Sequence, residues 1–237
     1  MIGKRYKSNT NEDENENVFW VTMTDLMLGL TIVFMSLFIM AMTGFTQNKI
    51  SSQSTQSEVA KDLIKKMNAQ KIDAQIDVVT GQVKISDLEL FELNSYNLSA
   101  KGKKYLDKFI PIYVNTIFSK KELSDKITGV VIQGHTDSQS YAGLHSKEEQ
   151  FTKNMELSLK RANAVAEYMF KTDYNKKYSP MLTKNLTVEG KSFTEPVIIS
   201  GKEDYKKSRR VELKMIVKET SIQDFLVKSA LPTSKAK

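Results

Sequence analysis

The chain has 237 residues, 40% of them hydrophobic, a net charge of +7 and no cysteine. The missing cysteines exclude a disulfide framework, a thiol nucleophile and a thiolate metal site. The length fits one ordinary domain plus a membrane segment and a linker, and the scattered lysines form no basic helix, so the positive charge reads as a solvated surface and not as a nucleic-acid site.

Residues 1–17, which include Lys4, Arg5, Lys7 and the acidic run NEDENEN, read as a polar tail. Residues 18–45 follow as an apolar run with a single charge, Asp25. From Leu26 to Gly44 no residue is charged, and at about 1.5 Å per residue that stretch spans roughly 28 Å, close to a bilayer core. A cleaved signal peptide needs a basic start, a shorter apolar core and a small-x-small site. The run is instead expected to be an uncleaved transmembrane helix. Basic residues gather on its N-terminal side, against Lys49 on the other, which places the N-terminus in the cytoplasm and the chain after Phe45 outside.

Thr22, Gly29, Ser36 and Thr43 recur every seven residues, with Asp25, Ile32 and Ile39 in the row beside them. Small residues let helices approach closely in lipid, so this row is the expected helix-packing seam of a homodimer, with Asp25 at its edge. A charge inside the membrane costs about 2.5 to 3.5 kcal/mol on insertion scales and faces a partner or a wet cavity. Two readings of Asp25 stand here: a carrier that takes up and releases a cation, or an acid that snorkels to the interface.

Residues 46–75 are read as a linker. TQNKISSQSTQS is Ser/Gln-rich and expected to be flexible, and SEVAKDLIKKMNAQ places Val59, Leu63, Ile64 and Met67 at helical spacing. The stretch Ser57–Gln70 is expected to plug or gate an inactive channel. From residue 76 to 218 strands and helices alternate: IDVV, GQVKISD and LELFE read as strands around a turn at Gly81. The next helix starts at a Ser99 cap and carries Leu106, Phe109, Ile110, Tyr113 and Ile117 on one face. TGVVIQGHTDS reads as a strand, NMELSLKRANAVAEYMF as a helix, NLTVEGK and RRVELKMIV as strands. The fold class is α+β, a mixed sheet with helices on one face. Residues 219–237 are expected to add a helix over SIQDFLVKSAL and a basic tail.

Three ordered motifs, GHTDS at 134–138, NMELSLKRANAV at 154–165 and SRRVEL at 208–213, resemble the OmpA-like peptidoglycan-binding domain over residues 76–218. That resemblance implies that Asp137 and Arg161 grip the diaminopimelate of the wall peptide. An aspartate suits its ammonium and a guanidinium fork its carboxylate, and Thr136 adds a hydrogen bond. A purely structural role would have Asp137 cap its turn and pair with Arg161 across the fold. The chain departs from the family in Ser208, where an Asn is usual, and in the long stretch QSYAGLHSKEEQFTK.

Trp20 followed by Asp25, Leu26 and Met27 is similar to the start of the B subunit of MotA/MotB-type stators. This implies an ion-carrying Asp25 conducting protons or sodium, and two B helices inside five copies of a multi-span MotA/ZorA-like subunit. It also implies an inner-membrane location, with the C-terminal domain in the periplasm bound to peptidoglycan. Within that family the size, short linker and motif style are most similar to the B subunits of Zorya anti-phage systems. The alternatives are a flagellar-type stator subunit, a passive peptidoglycan tether whose helix is only an anchor, and a scaffold that senses free wall fragments. No enzymatic activity, cofactor or metal site is expected. His135, Asp137 and Ser138 are too close in sequence for a triad, His145 stands alone, and no phosphate loop is present.

Overall fold

A computed structural model describes residues 10–92, 95–141, 143–144 and 146–218, and side chains throughout these except 10–17, 44–45, 47–52 and 122–123. Lys4, Arg5, Lys7, His145 and the helix expected over residues 221–231 lie outside the described residues. The chain divides into two compact units, the second being Ile50–Glu219.

Helix α1 runs Thr10–Ala69, so it begins within the expected N-terminal tail and includes the stretch expected to be a flexible spacer. No glycine or proline occurs from Phe45 to Thr80, and Gln, Lys, Ala and Glu favour helix enough to outweigh the serines. In the second unit the apolar face of this helix is buried: Val59, Leu63 and Met67 belong to the domain core. The stretch expected to gate a channel therefore has its apolar face occupied here.

Strands β1 (Gln75–Ile76) and β2 (Val83–Ser86) are joined by a tight turn. The Asp77 carboxylate accepts from the N–H groups of Val79 and Thr80 at 2.9 and 2.8 Å, and Gly81 takes a φ of +68°. This side-chain turn captures the end of IDVV, which sequence alternation extends as a strand. LELFE is likewise not a strand: Asp87–Leu90 is a helical turn, α2, closed by Phe91 N–H donating to Asp87 O at 2.9 Å. Helix α3 (Ala100–Ser119) begins where expected, with Gly102 N–H donating to the Ser99 hydroxyl at 2.9 Å. The short α4 (Lys121–Ser124), β3 (Ile127–His135) and α5 (Lys147–Lys171) follow. Helix α5 starts seven residues before Asn154 because Ser146 and Glu149 form a reciprocal capping box. A 3₁₀ turn (Lys176–Tyr178), α6 (Ser179–Asn185), β4 (Leu186–Gly190), the hairpin β5 (Ile198–Ile199) and β6 (Lys202–Glu203), α7 (Tyr205–Ser208) and β7 (Arg210–Val217) complete the described chain.

The main sheet has the order β1-β2-β7-β3-β4, antiparallel except for the parallel β3–β4 pair. Val83, Ile85, Val130, Ile132, Val211, Leu213 and Met215 point to one face and form a single core with α1, α3 and α5. Leu106, Phe109, Ile110, Tyr113 and Ile117, the expected face of α3, are all in it. The other face is polar. Register places Glu212 beside Lys84 on one side and Gln133 on the other. Its carboxylate accepts from Gln82 and from Arg210 Nε at 2.6 Å, with Lys214 Nζ at 3.1 Å. Burial alone would raise the Glu212 pKa, but His135 and Arg210 outweigh it and hold the carboxyl well below the usual range.

Candidate functional site

Strand β3 and helix α5 bring the first two motifs together. Gly134 lies against the backbone of Ser158, where a Cβ would sit only 2.8 Å from the Ser158 carbonyl carbon. This close approach sets the end of β3, with His135, Thr136 and Asp137, beside the turn of α5 that carries Arg161. The third motif enters at the start of β7: Ser208 is fully buried and its hydroxyl accepts from Val197 N–H at 3.0 Å. A small hydroxyl thus pins the strand entry that aims Arg209 back at Asp137.

The result is a cavity of about 510 Å³, whose lining includes Asp87, Thr136, Asp137, Tyr141, Arg161 and Arg209. Arg161 is 3% exposed. Its Nε donates to Ser95 O at 3.0 Å, its Cζ lies 5.3 Å from the Phe91 ring centroid, and its Nη1 is 3.2 Å from Asp87 Oδ1. Arg209 Nη1 pairs with Asp137 Oδ2, and its Nε is 3.7 Å from Asp87 Oδ2. Asp137 Oδ1 accepts from Gln139 N–H at 3.2 Å, so Asp137 does close its turn, but its cationic partner is Arg209. The partner of Arg161 is Asp87.

Burial pushes the Asp87 carboxyl up, against the opposing charges of Arg161 and Arg209. Thr136 donates its N–H to Ser192 O at 2.9 Å, whereas its hydroxyl is buried without a partner among the described residues. Tyr141, from the loop before α5, places its hydroxyl 3.5 Å from Asn154 Oδ1. Chemically the cavity offers one buried and one partly exposed cation and two acids, with an unoccupied hydroxyl and the apolar wall of Leu88, Phe91 and Leu157. That combination suits a ligand end with both an ammonium and a carboxylate on an aliphatic stem.

On α1, Val18–Thr43 is a 26-residue stretch long and apolar enough to cross a membrane, about 39 Å at helical rise. Asp25 is the one ionised residue type within it. The hydroxyls of Thr22, Ser36 and Thr43 donate to carbonyls on their own helix, Val18, Val33 and Ile39 among them, at 2.7 to 3.0 Å. Polar groups that close on their own backbone leave a flush, narrow row together with Gly29, consistent with lipid surroundings.

The OmpA family pattern matches residues 90–210. A Zorya protein ZorB of Escherichia coli (Crooks strain) is 31% identical over 91% of this chain and 93% of its own length. The chain belongs to the ZorB family. A second ZorB, from Escherichia coli O139:H28, is 24% identical over 86% of this chain and 82% of its own. Among solved structures, a protein described as MotB-like from Desulfovibrio vulgaris shares the fold, with a TM-score of 0.50 and 17% identity over 73% of this chain and 97% of that one. This ZorB-family chain thus joins an N-terminal apolar helix to an OmpA-like domain of mixed sheet and helices.

The sequence motifs of this ZorB-family domain locate Thr136, Asp137, Arg161 and Arg209, and the fold collects them at one cavity. Asp87 and Tyr141 have no motif to mark them. Asp87 lies in a segment read as a strand, although Ser86 and Glu89 carry the S-x-x-E pattern of a helix start. The fold also assembles a trio unforeseen from sequence, His135, Glu195 and Glu212, whose ligand atoms lie within 4.8 Å of one another. Arg210, Lys214 and Gln82 already take the Glu212 oxygens, so the donor set is one built around an ion-paired carboxylate and does not suit a further cation.

Proposed function

We propose that the chain is the wall-anchored B subunit of an ion-driven membrane motor in a Zorya-type anti-phage system. One observation carries this reading: the similarity to ZorB spans 91% of the chain, and therefore takes in both the acid-bearing helix and the cavity built from Asp87 to Arg209. The chain itself does no chemistry. Asp25 binds and releases a proton or a sodium ion, and one charge crossing the potential supplies about 2.3 kcal/mol per 100 mV, enough to bias a conformational step. Two copies pack through the row Thr22, Gly29, Ser36 and Thr43 inside a ring of five multi-span ZorA-like subunits in the inner membrane.

The domain binds peptidoglycan in the periplasm. Asp137 receives the ammonium of the wall peptide's diaminopimelate, Arg161 its carboxylate, and Thr136 Oγ1 completes the contact. Holding the domain to the wall turns ion flux into torque on a target, because an unanchored complex would turn itself. Expressed with its neighbouring genes, Asp25→Asn should copurify with the multi-span subunit at wild-type yield and give no protection in a phage plating assay. Full protection by that variant would leave only a passive tether.

A further inference from the structure

The inner cavity contains an alternating chain of charges, Arg161–Asp87–Arg209–Asp137. Asp87 sits in its middle, 7% exposed, with one oxygen 3.2 Å from Arg161 Nη1 and the other 3.7 Å from Arg209 Nε. It comes from a different element, α2, than either arginine, and although it lines the same cavity its Oδ1 is shielded from solvent. The guanidinium groups of buried Arg161 and partly exposed Arg209, both within 4 Å of it, would repel each other without it. With it the four groups sum to zero, two positive and two negative.

We infer that Asp87 is the positioning residue that holds Arg161 and Arg209 side by side and, by balancing their charge, restricts the cavity to a zwitterionic amino-acid end in preference to a simple anion. The inference rests on the wall-binding reading and adds to it a residue and a rule of selectivity. Three of the four charges face the ligand or its immediate partner, whereas Asp87 acts through the arginines. An entering carboxylate on Arg161 makes the array net negative, and the accompanying ammonium restores balance beside Asp137. A ligand with its ammonium blocked leaves that excess uncompensated. With Asp87 neutralised, the array becomes net positive and the same anion is welcome.

The test measures binding of two peptides by calorimetry to the full-length chain in lipid nanodiscs. One is a stem tripeptide ending in diaminopimelate; the other is identical but acetylated on the distal amine. Wild type should prefer the free amine by on the order of 100-fold, and Asp87→Asn should bring the ratio to within about threefold by strengthening the acetylated peptide. Asp87→Glu, which keeps the charge, should retain most of the preference. Arg209→Gln, at a partly exposed site, should widen it by about tenfold and carries the test even where Asp87→Asn does not fold. An unchanged ratio in Asp87→Asn or Arg209→Gln, or an equal loss in Asp87→Glu, overturns the inference. Wild type binding neither peptide would instead overturn the wall-binding reading beneath it.

Discussion

Gly134 joins the fold to the cavity, and replacing it with alanine tests that link. An added Cβ would lie on the Ser158 carbonyl oxygen, 2.8 Å from its carbon and 3.2 Å from Ser158 Cα. The obstacle is helix backbone, so relief requires β3 and α5 to separate by the better part of an ångström. Overpacking of this kind costs about 1–3 kcal/mol, and a backbone obstacle places it at the upper end. For a unit of this size, about 3 kcal/mol lowers the melting point by about 6–12 °C. Arg161 stands one turn beyond Ser158, so the same displacement moves it away from Asp137. Scanning calorimetry of full-length Gly134→Ala and co-sedimentation with isolated peptidoglycan should both show losses. Gly129→Ala is the control: its nearest neighbours are Ile216 Cγ1 and Cβ at 3.1 and 3.2 Å, so half-exposed Ile216 needs to give by only a few tenths of an ångström. Equal melting points for the two variants would refute the close-packing argument.

Leu63 is fully buried, so Leu63→Ala should destabilise the domain by about 2–5 kcal/mol, while exposed Lys65→Ala should stay within about 0.5 kcal/mol; denaturant melts distinguish them. Glu212 has a depressed carboxyl pKa in the folded protein, so its contribution is complete above the ordinary carboxylate range and is lost as pH falls towards the folded value. Glu212→Gln should therefore melt lower at pH 7 and change less than wild type between pH 7 and pH 3. Asp137→Ala and Arg161→Ala should each reduce co-sedimentation with peptidoglycan by about tenfold or more, and unchanged pelleting of both would make the motif structural.

The helix faces and buried strands were legible because their periodicity reports burial directly: the face of α3 and the strands around Val130 and Val211 follow from spacing alone. Local side-chain chemistry overrode that signal where the reading failed. Asp77 folds the end of IDVV into a turn, and Ser146 with Glu149 begins α5 seven residues early. The Ser/Gln-rich stretch after Gly44 looked flexible by composition, yet nothing in it breaks a helix. In the cavity, Thr136, Asp137 and Arg161 stood in motifs. Asp87 did not, because its role arises from a meeting of α2, α5 and the start of β7 that no local pattern encodes.

A motor of the proposed kind depends on ion passage at Asp25. Ion flux should be measured in proteoliposomes holding the chain assembled with its multi-span subunit, with the sodium and proton gradients varied separately. If the ion is carried at Asp25 as proposed, wild type and Asp137→Ala should conduct alike, and Asp25→Asn should conduct nothing above empty vesicles. Flux through Asp25→Asn at the wild-type rate would contradict the account.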